Sequence, residues 1–194
     1  MTGPVLHLGA ARCGPGAGPE AAQTRARTRN GAGNVGAGKR HGTVPGAGPG
    51  SGAARKETVD RDAALLFADA AERAGVRRFL VVSSMNADAS LTEPPAGMDP
   101  VFAAYLRAKG AADDAVRARD TLDWTVLRPG RLTDDPGTGL VSLAEHTGRD
   151  EVTRDDVAAV LAGLLDEPGT AGMTLELIGG ETRVADAVAR VARG

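Results

Sequence analysis

Short apolar runs alternate with stretches of helical periodicity from about residue 57 onward, and this alternation constrains the fold most. Arg78 to Ser84 (RFLVVSS) is a nearly continuous apolar run, suited to a strand buried on both faces of a parallel sheet. Asp123 to Leu127 (DWTVL) is a second such strand, with Arg128-Pro129-Gly130 as its stop and turn, and Met173 to Ile178 is another, closed by Gly179-Gly180. Between them, Thr58 to Ala74 reads as a helix with Val59, Ala63, Leu66, Phe67 and Ala70 on its buried face and Gly75 at its end. The Pro-rich stretch Leu91 to Pro100 is a loop, and Asp99-Pro100 starts a helix running to about Arg119. A polar loop from Leu132 to Gly139 precedes the apolar patch Leu140 to Leu143. Thr153 then caps a helix from Arg154 to Leu165, with Val157, Val160, Leu161 and Leu164 on one face, and Val184 to Val191 is a closing amphipathic helix. Strand and helix in turn are the signature of βαβ units with right-handed crossovers, hence an α/β fold around a parallel sheet.

The first 56 residues have another texture. They hold 14 of the 27 glycines and 5 of the 11 prolines, too little apolar matter to offset the entropy of fixing so many glycines. The division expected is a low-complexity, poorly ordered segment over residues 1–46 and a folded region over 47–194. Charge divides the chain too: eight Lys/Arg stand against Glu20 up to Lys56, leaving 15 basic and 24 acidic residues beyond it. The basic front lacks Phe, Tyr and Trp for stacking on bases, so nucleic acid is not an expected partner. The lone Cys13 excludes an internal disulfide and cannot make a zinc site, so no metal is expected. No apolar run of membrane-spanning length and no signal-peptide pattern is present, which points to a soluble, cytoplasmic protein.

The chemistry-bearing signal is Tyr105-Leu106-Arg107-Ala108-Lys109. Tyr105 is the single tyrosine, and the lysines are Lys39, Lys56 and Lys109. A spacing of four places both side chains on one helix face, where an ammonium favours the phenolate and tunes the phenol for proton transfer. Ser83 and Ser84 stand at the carboxyl end of a predicted parallel strand, where open α/β sheets bind ligands. A hydroxyl there suits a substrate carbonyl. Pro129, Gly130 and Arg131, at the end of the next strand, lie on the same rim.

Together VVSSM (Val81 to Met85), YLRAK (Tyr105 to Lys109), DWTVLRPGRLTDDPGTG (Asp123 to Gly139) and TRDDVAAVL (Thr153 to Leu161) resemble the atypical NAD(P)H-binding short-chain dehydrogenase/reductases, which include NmrA-like proteins. Ala47 to Asp60 resembles the loop after that fold's fourth strand, so the likeness covers about three quarters of the chain. It implies a Rossmann-like, doubly wound parallel sheet. It also implies a nicotinamide cofactor, NADP rather than NAD, and reduction of a carbonyl substrate. Tyr105 is then the acid/base, Lys109 holds the nicotinamide ribose, and Ser83 or Ser84 orients the substrate. Pro129, Gly130, Arg131 and Leu132 touch the nicotinamide side. The non-catalytic alternative is a dinucleotide-sensing or partner-binding domain of the NmrA-like kind.

The family opens with a strand, a GxxGxxG turn and a helix whose amino end receives the pyrophosphate. Here that βαβ unit is degenerate or absent. Gly31 to Gly36 fits GxGxxG as a string, but Thr24 to Asn30 is no strand and Ala37 to Pro45 no helix. Gly33 to Arg40 fits GxxxxGK but puts Arg40 where a magnesium-binding hydroxyl is needed. Leu6-His7-Leu8-Gly9 is the best remnant of the first strand and turn, although Cys13 to Gly16 prevents a helix. Gly, Ala, Arg and Pro are also what GC-rich codons give when read out of frame. That origin requires a strand, a GxxGxxG turn and a helix in another frame upstream of the Ala47 codon.

Overall fold

The computed structural model describes residues 61–194, together with the backbone of two short strands nearer the N-terminus, β1 (Val5–Leu8) and β2 (Thr43–Val44). The GxGxxG and GxxxxGK strings set aside above, and the start of the first expected helix, lie outside the described residues. The elements that follow are α1 (Ala63–Arg73), β3 (Arg78–Val82), α2 (Pro100–Arg117), β4 (Asp123–Pro129), β5 (Arg131–Thr133), β6 (Leu140–Ala144), β7 (Glu151–Thr153), α3 (Arg154–Leu165), β8 (Met173–Gly179), β9 (Thr182–Arg183) and α4 (Val184–Val191). Seven strands form one sheet in the order β2-β1-β3-β4-β8-β6-β9. The five from β2 to β8 run parallel, and β6 and β9 add an antiparallel edge. The result is the expected Rossmann-like α/β sheet, dominated by parallel pairs. Strand order reverses at β1, which has β2 on one side and β3 on the other, and such a switch point opens a crevice outside the strands' carboxyl ends.

Each face of the sheet carries its own core. On one, α1 and α2 cover Phe79, Val81 and Trp124, while on the other α3 and α4 cover Leu80, Leu127, Leu143, Leu175 and Leu177. Helix α1 corrects the sequence reading of its buried face. Ala64, Ala68 and Ala71 are fully buried and Leu66 is 66% exposed, so alanines face the sheet and bring the helix close to it. Phe67 follows them inward and meets Phe79 with ring centroids 5.8 Å apart.

Helix α2 starts where expected. The Asp99 carboxylate accepts from the N–H groups of Val101 and Phe102 at 2.7 and 3.0 Å, and Pro100 takes the first turn, where no intrahelical N–H is needed. Gly110 lies where the loop after β3 crosses the helix. A Cβ there would meet the backbone N of Ala89 at 2.2 Å, so a larger residue would push that loop off α2.

Two further expectations are corrected after β3. Strand β4 does not stop before Arg128 but continues through Pro129, whose Cα partners Leu177 of β8. The Leu127 and Pro129 carbonyls both face the β3 side, accepting from Ser83 N at 2.7 Å and Met85 N at 3.1 Å. In a strand the N–H of a residue shares the side of its C=O, so the N–H that Pro129 lacks faces the chain just after Val82, where β3 proper has ended. The stretch read as a polar loop from Leu132 begins inside β5, which pairs in parallel with β7 as a separate two-stranded sheet.

Helix α3 opens on a reciprocal cap that only half showed in the sequence. Asp156 N donates to the Thr153 hydroxyl at 3.0 Å, and the Asp156 carboxylate accepts from Thr153 Oγ1, from Thr138 N and Oγ1, and from Gly139 N. Burial opposes ionisation of this carboxyl, but the bonds from Thr138, Gly139 and Thr153 outweigh it and hold the pKa below the usual aspartate value. A depressed carboxylate pKa contributes stability above the unfolded-state value, and that stability is lost as pH falls through the folded-state value. Acid unfolding is therefore expected to cost wild type more melting temperature between about pH 5 and pH 3 than Asp156→Asn, whose side chain does not titrate. Parallel slopes in the two melting curves against pH would contradict this.

Candidate functional site

Five of the eight residues picked from the sequence converge at the carboxyl ends of β3 and β4. The chain leaving β3 keeps company with β4 through the Ser83 and Met85 amides, which brings Ser83 and Ser84 beside Pro129. Helix α2 packs over this rim. Lys109, 8% exposed, donates from Nζ to the Val82 carbonyl at 3.1 Å, and the same Nζ lies 5.9 Å from the Tyr105 ring centroid. The half-buried Tyr105 ring stacks on Phe102 at 6.0 Å and 25°. Spacing of four had predicted this shared face, and the long stem of Lys109 adds that its charge is held inward, against the sheet.

The two serines differ. Ser83 is buried and its hydroxyl donates to Asp113 Oδ2 at 2.8 Å, whereas Ser84 is partly buried and makes a local bond to the Met85 carbonyl at 3.2 Å. Gly130, just past the end of β4, donates its N–H to Leu177 O at 2.9 Å, and a Cβ at this position would run into Asp150 O at 2.1 Å. Glycine is required there by close approach. The Arg131 guanidinium pairs with Glu151 across the small sheet, and Leu132 packs against the core beneath α3 and α4.

Sequence reasoning missed Asp113 and Arg128. Asp113 is fully buried on α2, and Arg128 of β4 reaches its Oδ2 with both Nε (2.9 Å) and Nη2 (2.7 Å). Burial pushes the Asp113 carboxyl above its ordinary pKa, and the bonds from Ser83 and Arg128 offset part of that rise. The available signal was periodicity: Tyr105, Lys109, Asp113 and Arg117 recur every four residues, and Arg117 bonds Thr174 of β8 at 3.0 Å. A polar stripe thus runs along α2 from the rim towards the far end of the sheet.

Two cavities flank this region. One of about 310 Å³ lies below the rim and is lined by Arg117, Arg128, His146, Thr174 and Glu176 among others. The second, about 360 Å³, opens beyond β5 and β7, between Thr133, Thr138, Val152 and Gly180. Tyr105 and Lys109 line neither. Among the described residues no cluster of three or more His, Cys, Asp or Glu could hold a metal, and no helix is long and apolar enough to cross a membrane.

The residues at the rim could hold part of a nucleotide cofactor. A buried ammonium, a phenol and a glycine-lined turn gather outside the carboxyl ends of parallel strands, next to the switch point at β1. The segment after β1, which in such sheets receives the pyrophosphate, lies outside the described residues.

Comparison with known proteins agrees with this fold. A family model described as NAD(P)H-binding matches residues 40–168. The chain is 35% identical over 133 residues to the protein named uncharacterized sugar epimerase YhfK of Bacillus subtilis, covering 69% of this chain and 59% of that one. A solved Bacillus halodurans protein, named for an NAD-dependent epimerase/dehydratase, superposes with a TM-score of 0.68 at 34% identity, over 77% of this chain and 68% of that one. The oxidoreductase ylbE of Lactococcus lactis superposes with a TM-score of 0.67 at 27% identity, over 79% and 68%. The chain spans a little over half the length of the curated relatives it matches.

Proposed function

We propose, from the premise that this chain belongs to the NAD(P)H-binding family, that it is a reductase of the atypical short-chain dehydrogenase/reductase class acting on a small carbonyl substrate. One observation carries the reading: a buried ammonium, Lys109 Nζ, is fixed to the last carbonyl of β3 and lies beside the ring of the chain's single tyrosine. When bound, the reduced nicotinamide supplies the hydride. Tyr105 delivers the proton to the carbonyl oxygen as charge develops there, and Lys109 holds the ribose and favours the phenolate that remains. Ser84 orients the substrate carbonyl, because the Ser83 proton is held in the interior by Asp113, whereas Ser84 is only partly buried and its bond to the Met85 carbonyl is longer, at 3.2 Å. Pro129 and Gly130 wall the nicotinamide, with Arg131 and Leu132 extending that wall. NADP is the favoured dinucleotide, on the family resemblance.

No GxxGxxG turn is recognisable in the sequence after β1, and this sets the expected affinity. Backbone contacts to the pyrophosphate supply much of a dinucleotide's grip, so NADPH is expected to bind more weakly than micromolar in titration calorimetry. Lys109→Met should weaken it further, by about tenfold for the loss of one charge-assisted contact. Micromolar or tighter binding, or indifference to Lys109, would contradict these assignments. The same lack of a recognisable turn favours the second reading, a non-catalytic dinucleotide sensor, and turnover separates the two.

A further inference from the structure

We propose that Asp113 is a positioning residue for the site just described: by tying Ser83 and Arg128 to α2, it locks the end of β3 so that the Val82 carbonyl holds the Lys109 ammonium beside Tyr105. The functional part of this inference rests on the catalytic reading above.

The geometry is that of a two-rung clamp. Lys109 and Asp113 are one turn apart on the inward face of α2, and their partners Val82 and Ser83 are consecutive on β3. One rung is Lys109 Nζ to Val82 O at 3.1 Å, and the other is Ser83 Oγ to Asp113 Oδ2 at 2.8 Å. Two rungs fix both the height and the rotation of a helix against a strand, where one leaves a pivot. Arg128 extends the clamp to β4. Tyr105, one turn nearer the rim, inherits its position from this arrangement.

The bonding of Asp113 is not that of an ordinary ion pair. Arginine and carboxylate usually meet as a fork on a fork, each oxygen taking one N–H. Here both guanidinium donors and the Ser83 hydroxyl converge on Oδ2, while Oδ1 is buried with no hydrogen-bond partner. A buried polar atom left unpaired costs about 1–3 kcal/mol. The arrangement gives up one oxygen and fixes the other where β3, β4 and α2 meet.

Because Tyr105 is the single tyrosine, its ionisation can be followed directly as phenolate absorbance near 295 nm, with no turnover required. The charged and titratable groups facing Asp113 are Arg128 from β4 and Arg117 from its own helix, with the Ser83 hydroxyl from β3, and Lys109 stands one turn away along the same helix. If Asp113 acted through its charge alone, Asp113→Asn would lower the Tyr105 midpoint, since losing a nearby anion favours the phenolate. If it positions Lys109, the midpoint should rise instead, by about half a pH unit or more as the ammonium moves away. Ser83→Ala removes the same rung without touching a charge and should also raise it. It serves as well if Asp113→Asn does not fold. Hydrogen exchange over residues 82–85 should quicken about tenfold or more in both variants as the strand end loosens.

A midpoint that falls or stays in both variants while Lys109→Met raises it overturns the clamp and leaves the catalytic reading standing. A midpoint that ignores Lys109→Met defeats the catalytic reading. The exchange rates then judge the lock on β3 by itself, and unchanged protection overturns that as well.

Discussion

Arg78→Met is expected to lower the melting temperature by roughly 10 °C, on the order of 3 kcal/mol for a chain of this size. Arg78 opens β3 at the end of the sheet opposite the site and is 9% exposed. Its Nη1 donates to Asp123 O (2.9 Å) and Thr125 Oγ1 (2.8 Å), and its Nη2 to Leu164 O (2.6 Å) and Thr170 Oγ1 (2.7 Å). Leu164 O belongs to the last turn of α3, where its backbone donor, the Glu167 N–H, stands at 3.3 Å, so the guanidinium adds a shorter bond and helps cap that helix's C-terminus. Burial lowers the Arg78 pKa to about 10, still far enough above neutrality to keep it charged. Methionine fills much of the volume but removes the donors to the Asp123 and Leu164 carbonyls, while the Thr125 and Thr170 hydroxyls keep their bonds to the Thr170 and Glu167 carbonyls. Arg78→Lys should recover part of the loss, since one ammonium reaches fewer acceptors than a planar fork. A melting temperature within about 2 °C of wild type for the methionine variant would show that the buried fork contributes little.

Tyr105→Phe should leave the fold intact and cut kcat for carbonyl reduction by about 10² to 10⁴-fold, or roughly 3–5 kcal/mol of barrier. The phenyl ring preserves the stack on Phe102 and the contact with Lys109 Nζ, so only the hydroxyl is lost. Substrate and NADPH affinity should change little, because the proton is delivered in the transition state and not on binding. A rise in KM alone, with kcat preserved, would assign Tyr105 to substrate binding and leave the acid unidentified.

Much of this was readable from local chemistry. The Thr153 cap, the bounds of α3 and α4 and the Asp99-Pro100 start depend on neighbours within one turn, and they appear where cap and turn residues place them. The Tyr105 and Lys109 pairing is likewise local, a consequence of spacing along one helix. What escaped depends on distant partners. Leu66 fits an apolar period as well as Ala64 or Ala68 does, and only the close approach of α1 to the sheet decides for alanine. Pro129 reads as a strand stop until its missing N–H is seen to fall beyond the end of β3. Ser83 reads as a substrate hydroxyl until Asp113, thirty residues on, claims its proton. Arg78 sits in an apolar run, and its acceptors come from residues 123, 125, 164 and 170, which no local pattern connects.

The central claim is that this chain passes hydride from a reduced nicotinamide to a carbonyl while Tyr105 passes the proton. It is tested most directly by incubating the full chain with NADPH deuterated at the transferring position of C4 and an aromatic aldehyde such as 4-nitrobenzaldehyde, and then analysing the alcohol by mass spectrometry. The expected result is one deuterium on the carbinol carbon, formed by wild type and nearly lost in Tyr105→Phe. NADPH that binds under the same conditions yet delivers no deuterium, to this aldehyde or to a panel of ketones and quinones, would contradict the claim and leave a dinucleotide sensor.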